Sequence, residues 1–377
     1  MIARRRQEPS RRGRADGVTA AERRQPGACH HTAPEEYSVL TTAIRDATFS
    51  RDALTIDPER TAAAIETTIR EQVSRTLRRR GAVVGLSGGV DSSVVCLLCA
   101  RALGPDRVLG LFMPERASAS ESLELGQLIA AAAGVRTELV PIAPILEAMG
   151  CYRHQVEAVR RAIPEYDETW AMKLVLPSIL ESNRLNVFSV VAQAPDGTER
   201  RARLPTDAYL HLVAATNMKQ RVRKQTEYFY ADRYNYAVAG TPNRLEYDQG
   251  FFVKNGDGAA DFKPIAHLYK TQVYALAEYL GVPEEIRRRP PTTDTYSLPQ
   301  TQEEFYFALP YDRMDCCLYG KNHGVPAAEV AAAIGLTPEQ VERVYRDIDA
   351  KRRTTAYLQL QPLLVEPVAE IEASVRQ

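Results

Sequence analysis

The chain has 377 residues, with 48 Lys or Arg against 48 Asp or Glu, so its formal net charge is zero. This length allows one large or two modest domains, and the balanced charge gives no general attraction to nucleic acid or to a membrane surface. No run of about 18 apolar residues is present, which excludes a membrane-spanning helix. Six cysteines without the spacing of a disulfide framework favour the reducing cytoplasm. We therefore expect a globular cytoplasmic protein with neither nucleic acid nor membrane as partner.

The first 36 residues differ in composition from the rest of the chain. Residues 1–36 contain eight arginines and five acidic residues, with Pro, Gly and Ser and few apolar side chains. Such a segment cannot bury enough apolar surface to fold, so we expect a disordered tail. An arginine-rich start also occurs in organelle transit peptides, but a solvated extension is the simpler interpretation. Residues 37–80 are predicted to be N-terminal helices, because Pro58 suits a helix start and an apolar stripe follows it.

A glycine-rich loop connects a predicted strand at 82–86 to a predicted helix at 94–103. Its residues that can contact a ligand are Ser87, Gly88, Gly89, Asp91, Ser92 and Ser93. Adjacent glycines allow a tight turn, and serine hydroxyls beside a helix N-terminus suit a phosphate or pyrophosphate group. A kinase-type phosphate loop would require a Gly-Lys-Ser/Thr ending, which this loop lacks. Asp91 would repel a polyphosphate by itself, so its presence indicates a bound Mg²⁺ ion.

Strands and helices alternate after this loop. Strands are predicted at 108–113 and 136–142 with a helix at 121–133 between them, and a strand at 236–239 precedes a helix at 270–280. This alternation of apolar strands with helices predicts an α/β protein with a doubly wound parallel sheet. Ligands of such sheets bind at the carboxyl ends of the strands, where the glycine-rich loop is expected.

Residues 151–205 interrupt the alternation and are predicted to be an insertion. A helix is expected at 166–180, followed by a hairpin whose turn is Pro195-Asp196-Gly197. A long helix then runs to about Tyr234. Residues 291–377 are predicted to form a helical C-terminal segment.

The loop resembles the pyrophosphate loop of enzymes that split ATP into AMP and pyrophosphate while activating a carboxylate or another oxygen. Four downstream segments narrow this class: NMKQRVR at 217–223, GTPNRLE at 240–246, GFFVKNGDGAAD at 250–261 and LYKTQ at 268–272. Together with the loop, these segments resemble the ammonia-dependent core of the NAD synthase family. The resemblance covers residues 81–290, which it identifies as an ATP pyrophosphatase domain. It implies the adenine nucleotide alpha-hydrolase-like fold and a homodimer.

The resemblance also implies the reaction. An ATP-dependent, amide-forming ligase would adenylate a small-molecule carboxylate, release pyrophosphate and transfer ammonia to the acyl group, most simply converting deamido-NAD into NAD⁺. The roughly 80 residues before the first strand are too few for a glutaminase domain, since typical domains have about 100–150 residues. The ammonia would therefore be free or would come from a separate glutaminase.

Matched positions and residue chemistry assign candidate roles at the ATP end of the site. Asp91 and Glu246, which we expect at the end of a strand, would hold Mg²⁺ together with phosphate oxygens. Lys270 would neutralise the departing pyrophosphate as a catalytic cation, and Thr241 would donate a hydroxyl to it.

The substrate end is assigned in the same way. Arg221 and Arg223 lie two positions apart on a predicted helix, so they point in different directions, and we assign Arg221 to ATP. The resemblance places Asp257 and Asp261 near the acyl substrate, where a carboxylate can orient or deprotonate ammonium. The substrate-binding residues that it implies are Asn217, Arg223, Lys254, Asp257 and Asp261. A capped, glycine-rich turn is the alternative interpretation of the acids at 250–261.

Three regions depart from the family pattern. The insertion at 151–205 is longer than the usual connection, and residues 300–307 carry aromatic side chains where the family pattern is acidic. The run at 351–356 also differs from the family pattern. These departures keep open the same adenylation and amidation of a different carboxylic acid.

Two other classes of protein share single features with this chain. Some pyrophosphate-loop enzymes modify tRNA, but they need reactive cysteines or an RNA-binding module, and the body of this chain is mildly acidic. Residues 328–341 resemble a helix-turn-helix, yet Glu329, Glu339 and Glu342 are a poor face for phosphate, which favours simple packing.

Overall fold

The computed structural model describes residues 48–175, 189–292, 295–307 and 309–371. The described residues from Phe49 onwards belong to one compact unit. The predicted tail at 1–36 lies outside the described residues, as do residues 37–47 of the predicted N-terminal helices and residues 176–188 of the predicted insertion.

Parallel strands form the central sheet. The strands of the described residues are β1 Ala82–Gly85, β2 Val108–Phe112, β3 Arg136–Leu139, β4 Ala171–Val175, β5 Ser189–Gln193, β6 Glu199–Arg203 and β7 Ala237–Ala239. Four of them pair in parallel in the order β3-β2-β1-β7, with Val83 opposite both Leu109 and Val238. Because side chains alternate between the two faces of a strand, Val83 and its neighbour Val84 enter different hydrophobic cores.

Helices cover both faces of this sheet. The α-helices of the described residues are α1 Pro58–Glu71, α2 Val90–Leu103, α3 Ser120–Ala133, α4 Ala143–Ala148, α5 Cys151–Arg160, α6 Thr206–Tyr234, α7 Arg244–Gln249, α8 Lys270–Tyr279, α9 Glu284–Arg288, α10 Tyr311–Asn322, α11 Ala327–Ile334 and α12 Pro338–Gln359. Apolar residues of α1, α2, α3 and α8 pack on one face, and those of α4, α5 and α6 pack on the other. The predicted doubly wound arrangement is therefore confirmed.

Local signals in the sequence set several helix ends. Pro58 is the first residue of α1, and the side chain of Asp57 accepts a hydrogen bond from the backbone N–H of Arg60 at 3.0 Å. Gly134 ends α3 in the left-handed region, with φ of 66°. None of the helices described is long and apolar enough to cross a membrane.

The predicted insertion contains a second sheet. Strands β4, β5 and β6 are antiparallel, and β5 and β6 form the predicted hairpin. The predicted helix at 166–180 is wrong over residues 166–175, because 166–170 are not helical and 171–175 form β4. Met172 and Leu174 are buried at alternate positions and pair with Ala192 and Val190 of β5, so the period of two selects a strand.

The predicted helical C-terminal segment is confirmed by α10, α11 and α12, which share a core of their own. The buried residues that join these helices include Met314, Leu318, Val330, Ile334, Val341 and Val344. The segment that resembles a helix-turn-helix therefore buries its apolar faces within the chain, as the packing interpretation predicts.

Candidate active site

The glycine-rich loop connects β1 to α2 with a tight turn. Gly88 has a φ of +73°, and a Cβ atom at this position would lie 2.4 Å from the carbonyl oxygen of Ser122, so only glycine fits. The Ser92 hydroxyl donates to the carbonyl oxygen of Gly89 at 3.0 Å, and the buried Ser93 hydroxyl donates to the same oxygen at 2.8 Å. These bonds hold the loop in shape before any ligand binds.

A cavity of about 800 Å³ opens at the carboxyl ends of β1, β2 and β7. The predicted site residues that line it are Ser87, Gly89, Asp91, Ser92, Asn217, Arg221, Arg223, Thr241, Glu246, Lys254 and Asp257. The predicted site residues outside its lining are Gly88, Ser93, Asp261 and Lys270. A volume of this size suits a small-molecule site, and its place in the sheet is the one predicted from the sequence.

Asp91 and Glu246 belong to one polar cluster at the edge of the cavity. The Lys270 ammonium forms an ion pair with Asp91 Oδ2, and Asn243 Nδ2 donates to Asp91 Oδ1 at 3.1 Å. Burial and the neighbouring Asp91 carboxylate raise the pKa of Glu246 to about 8, although Lys270 partly opposes this. Two carboxylates share one lysine here, so the cluster favours a further cation.

Glu246 lies in the short helix α7, so its expected place at a strand end is wrong. Strand β7 already ends at Ala239, and the Asn243 side chain accepts hydrogen bonds from the N–H groups of Leu245 and Glu246. In return, Glu246 Oε2 accepts from the backbone N–H of Asn243 at 3.1 Å. This capping box starts a helix and fixes the glutamate beside the loop.

Lys270 begins α8 and is fully buried. Burial alone would lower its pKa, but the carboxylates of Asp91 and Glu246 outweigh burial and raise it, which keeps the ammonium charged. The Asp315 carboxylate on α10 accepts hydrogen bonds from the backbone N–H groups of Lys270, at 3.2 Å, and Thr271, at 2.7 Å. Burial raises the pKa of Asp315 to about 6, although these hydrogen bonds oppose the increase. Sequence reasoning missed Asp315, whose signal is an acid inside an apolar helical stretch.

Helix α6 supplies one wall of the cavity. Arg221 Nε donates to the carbonyl oxygen of Lys254 and Arg223 Nε to that of Met113, both at 3.3 Å. One turn further along, Lys224 Nζ and Glu227 Oε2 form a buried ion pair at 2.6 Å, and both residues line the cavity. Sequence reasoning missed this pair, although it directly continues the segment at 217–223.

The structure separates the two acids predicted at the acyl end. Asp257 lines the cavity, where Oδ1 accepts from the backbone N–H of Val253 at 2.7 Å, and burial raises its pKa. Asp261 is exposed and accepts from the backbone N–H of Val238 at 2.7 Å and from the Tyr228 hydroxyl at 3.2 Å. These bonds attach Asp261 to strand β7, away from the cavity lining.

The C-terminal helix α12 covers part of the cavity. Lys254 Nζ donates to the carbonyl oxygens of Tyr357, at 2.8 Å, and Leu360, at 3.2 Å. Arg352 pairs with both carboxylate oxygens of Asp248 on α7, at 2.6 and 2.8 Å. The residues of α12 that line the cavity are Thr354, Thr355, Tyr357 and Leu358.

The aromatic departures at 300–307 also contribute to the site. Phe305 and Tyr306 line the cavity, and the Tyr306 ring stacks on Phe251 with centroids 4.6 Å apart. Gln302 Nε2 donates to Glu246 Oε1 at 3.2 Å. Phe307 is fully buried in the C-terminal core instead.

A glycine and serine loop at the carboxyl edge of a parallel sheet, opposite two carboxylates and a lysine, defines a nucleotide-binding α/β enzyme. The family model for NAD synthase matches residues 61–163 and 160–355 of the chain. The chain belongs to the NAD synthase family and is an ammonia-dependent carbon–nitrogen ligase.

Curated relatives agree with this assignment, and a solved structure shares the fold. An NH₃-dependent NAD⁺ synthetase of Mesorhizobium japonicum is 61% identical over 317 residues, which cover 84% of this chain and 99% of that protein. One of Rhizobium meliloti is 59% identical over 324 residues, covering 86% of this chain and 97% of that protein. The structure of an NMN synthetase from Francisella tularensis shares the fold, with a TM-score of 0.55 and 21% identity over 83% of this chain and 100% of that one. The predicted adenine nucleotide alpha-hydrolase-like fold is thus confirmed.

Proposed function

We propose that this protein is an ammonia-dependent NAD synthase that converts deamido-NAD, ammonia and ATP into NAD⁺, AMP and pyrophosphate. The observation that carries the proposal is the shared cavity of about 800 Å³, which places the glycine-rich loop and the Asp91, Glu246 and Lys270 cluster together with Asp257. In this proposal, residues 81–290 form the catalytic domain, and the helical segment at 291–377 completes the site.

The ATP end binds the triphosphate. The backbone N–H groups of the loop and the hydroxyls of Ser87 and Thr241 would donate to the phosphates, and Ser92, which also lines the cavity, would do so when its hydroxyl turns away from the Gly89 carbonyl oxygen. Arg221 contributes positive charge from the opposite wall of the cavity. Lys270, charged and buried behind Asp91, neutralises the pyrophosphate as it leaves.

Asp91 and Glu246 fit a magnesium site. Burial and repulsion by Asp91 raise the pKa of Glu246 to about 8, so its carboxyl is mostly protonated at neutral pH until a divalent cation favours the ionised form. Mg²⁺ prefers one or two carboxylates with phosphate oxygens and water. When bound, Mg²⁺ would neutralise phosphate charge during ATP cleavage.

The reaction has two steps. A carboxylate oxygen of deamido-NAD attacks the α-phosphorus of ATP, the bond to the pyrophosphate oxygen breaks, and an acyl-adenylate forms. Ammonia then attacks the acyl carbon and AMP leaves with the former carboxylate oxygen. Asp257 accepts the proton that ammonium must lose, because its raised pKa makes it a stronger base than an exposed aspartate.

Side chains on the other walls bind the rest of deamido-NAD. Asn217 and Arg223 project from α6 into the cavity, and Lys254 faces it across the loop that carries Asp257. Free ammonia is the proposed nitrogen donor. We also propose a homodimer in the cytoplasm, which the family resemblance and the reducing environment suited to the free, buried cysteines support.

A different carboxylic acid is the alternative substrate. The departures at 151–205 and 300–307 suggested it, and both contribute residues to the structure around the cavity. However, the Mesorhizobium japonicum relative is named an NH₃-dependent NAD⁺ synthetase. Its match covers 84% of this chain, and the matched stretch includes both regions. The match to a relative of that name through both regions favours deamido-NAD as the substrate.

A product assay tests the proposal. The protein is incubated with Mg²⁺, ATP, ammonium and either deamido-NAD or nicotinate mononucleotide, and all products are quantified by chromatography. We expect NAD⁺, AMP and pyrophosphate in equal amounts from deamido-NAD. Formation of ADP and phosphate would contradict the adenylation mechanism. Efficient turnover of nicotinate mononucleotide without turnover of deamido-NAD would contradict the proposed substrate.

A further inference from the structure

Two histidines and a glutamate converge where α5 packs on α6, outside the cavity lining. His154 and Glu157 are three residues apart on α5 and therefore lie on one face of that helix, and His211 faces them from α6. His154 Nδ1 lies 3.1 Å from His211 Nε2 and 3.4 Å from Glu157 Oε2. The three donor atoms all lie within 4.8 Å of one another.

The separations of 3.1 and 3.4 Å are close to the edge lengths of a metal polyhedron. Zinc binds histidine nitrogen and carboxylate oxygen at about 2.0–2.2 Å, so neighbouring ligand atoms of a tetrahedral site lie about 3.3–3.5 Å apart. A hydrogen bond between the imidazoles accounts for the 3.1 Å separation, but it does not require a carboxylate near the same nitrogen. A metal ion would replace the shared proton and use all three donors.

The surroundings leave room for a further ligand. The His154 and Glu157 side chains are 32% and 50% exposed, so water can reach the cluster and fill a fourth position. On either side, Cys151 Sγ contacts the carbonyl oxygen of Ala215 and Arg161 pairs with Asp207, which fixes the two helices in register. The three donors are thus positioned by packing around them.

We propose that His154, Glu157 and His211 form a site for a divalent transition-metal ion, with Zn²⁺ as the best match to two imidazoles and a carboxylate. The ion links α5, the first helix of the insertion, to α6. Helix α6 also carries Asn217 and Arg221 into the cavity, about two and about three turns further along. Metal binding therefore stabilises the start of one wall of the cavity.

Zinc affinity of the full-length protein tests the proposal. The measurement uses competition with a chromophoric chelator in excess Mg²⁺, which occupies the carboxylates of the cavity. Cys29, His30 and His31 are adjacent potential ligands, so the parent for all comparisons carries Cys29→Ser, His30→Ala and His31→Ala. We expect this parent to bind one equivalent of Zn²⁺ and to melt at a higher temperature when Zn²⁺ is present.

Single substitutions identify the ligands. His154→Ala and His211→Ala should each weaken Zn²⁺ binding by more than about 100-fold, since loss of an outer-shell partner already costs about 10–100-fold. The matched control is His323→Ala on the C-terminal helices, which should bind Zn²⁺ as the parent does. With Co²⁺ as a probe, the parent and this control should give the visible spectrum of a tetrahedral site, and the two histidine variants should not.

Equal Zn²⁺ affinity in the parent and in His211→Ala would overturn the proposal and leave a hydrogen-bonded histidine pair. Circular dichroism of the metal-free variants establishes that they fold. If either alanine variant fails to fold, Glu157→Gln tests the site instead. The Glu157 side chain is half exposed, so we expect this variant to fold. Loss of Zn²⁺ affinity of about tenfold or more in Glu157→Gln supports the site, and unchanged affinity contradicts it.

Discussion

Asp91 and Glu246 differ from surface acids because they face each other beside one buried lysine. We predict that Asp91→Asn and Glu246→Gln each reduce pyrophosphate release by about 100-fold or more, since each removes a carboxylate that would hold the Mg²⁺ ion that neutralises phosphate charge. Asp312→Asn is the matched control: this exposed acid pairs with Arg51 on the surface and should leave the rate unchanged. Near-normal pyrophosphate release by a folded Asp91→Asn variant would contradict the assignment.

Asp257 and Asp261 are four positions apart but have different environments. We predict that Asp257→Asn lowers amide formation by about 100-fold, as expected for loss of a general base, while Asp261→Asn retains turnover within a few-fold. The measurement is the rate of NAD⁺ formation at saturating ammonium for both variants. The reverse order of the two effects would contradict the assignment of Asp257.

Asp257→Asn should also raise the stability of the folded chain at neutral pH. Burial raises the folded-state pKa of Asp257 above the ordinary 3.8, so its ionisation destabilises the folded chain. This cost is absent below pH 3.8, grows as the pH rises towards the raised pKa, and is complete above it. Asp257→Asn, which can still accept from Val253, should therefore melt higher than the parent at neutral pH. A lower melting temperature would show that ionisation of Asp257 does not destabilise the folded chain.

At the scale of elements, the orientation of α8 depends on a contact from α10. Asp315 accepts hydrogen bonds from the N–H groups of Lys270 and Thr271. We predict that Asp315→Ala lowers the free energy of unfolding by about 1–3 kcal/mol, because buried donors lose their partner. It should also lower kcat while the KM for deamido-NAD stays constant, since Lys270 is displaced.

Asp57→Ala is the control for Asp315→Ala, because it removes a hydrogen bond from the start of a different helix. Asp57 caps α1 through the N–H of Arg60, far from the glycine-rich loop in sequence. Loss of this cap should cost about 0.5–2 kcal/mol of stability without a change in kcat. If Asp315→Ala and Asp57→Ala reduce stability equally and neither changes kcat, then Asp315 does not position Lys270.

Elements with a strong local pattern were predictable from the sequence. The glycine-rich loop, the hairpin of β5 and β6 and the starts of α1 and α8 follow from residues within a few positions of one another. Strand β4 was not predictable from the sequence, because pairing with β5 selects a strand over a helix at residues 171–175. The place of Glu246 on α7 depends on the capping box with Asn243, which the expectation that Glu246 ends a strand overlooked.

At the scale of the whole molecule, residues distant in sequence complete the site. Asp315 reaches α8 from 44–45 positions away, and Arg352 of α12 pairs with Asp248 from 104 positions away. No local pattern encodes such contacts. The grouping of the glycine-rich loop with Asp91 and Glu246 was predictable because one loop and a few matched segments supply these residues, whereas the cover over the cavity depends on tertiary packing of the C-terminal helices.

The central claim is that the carboxylate is activated by adenylation before ammonia attacks it. Deamido-NAD labelled with ¹⁸O in its carboxylate, turned over with ATP and ammonium, tests this claim directly by mass spectrometry of the products. The account predicts one ¹⁸O atom in the phosphate of AMP and none in pyrophosphate, because the attacking oxygen stays on the α-phosphorus when the amide forms. Unlabelled AMP, or label recovered in inorganic phosphate together with ADP, would contradict it.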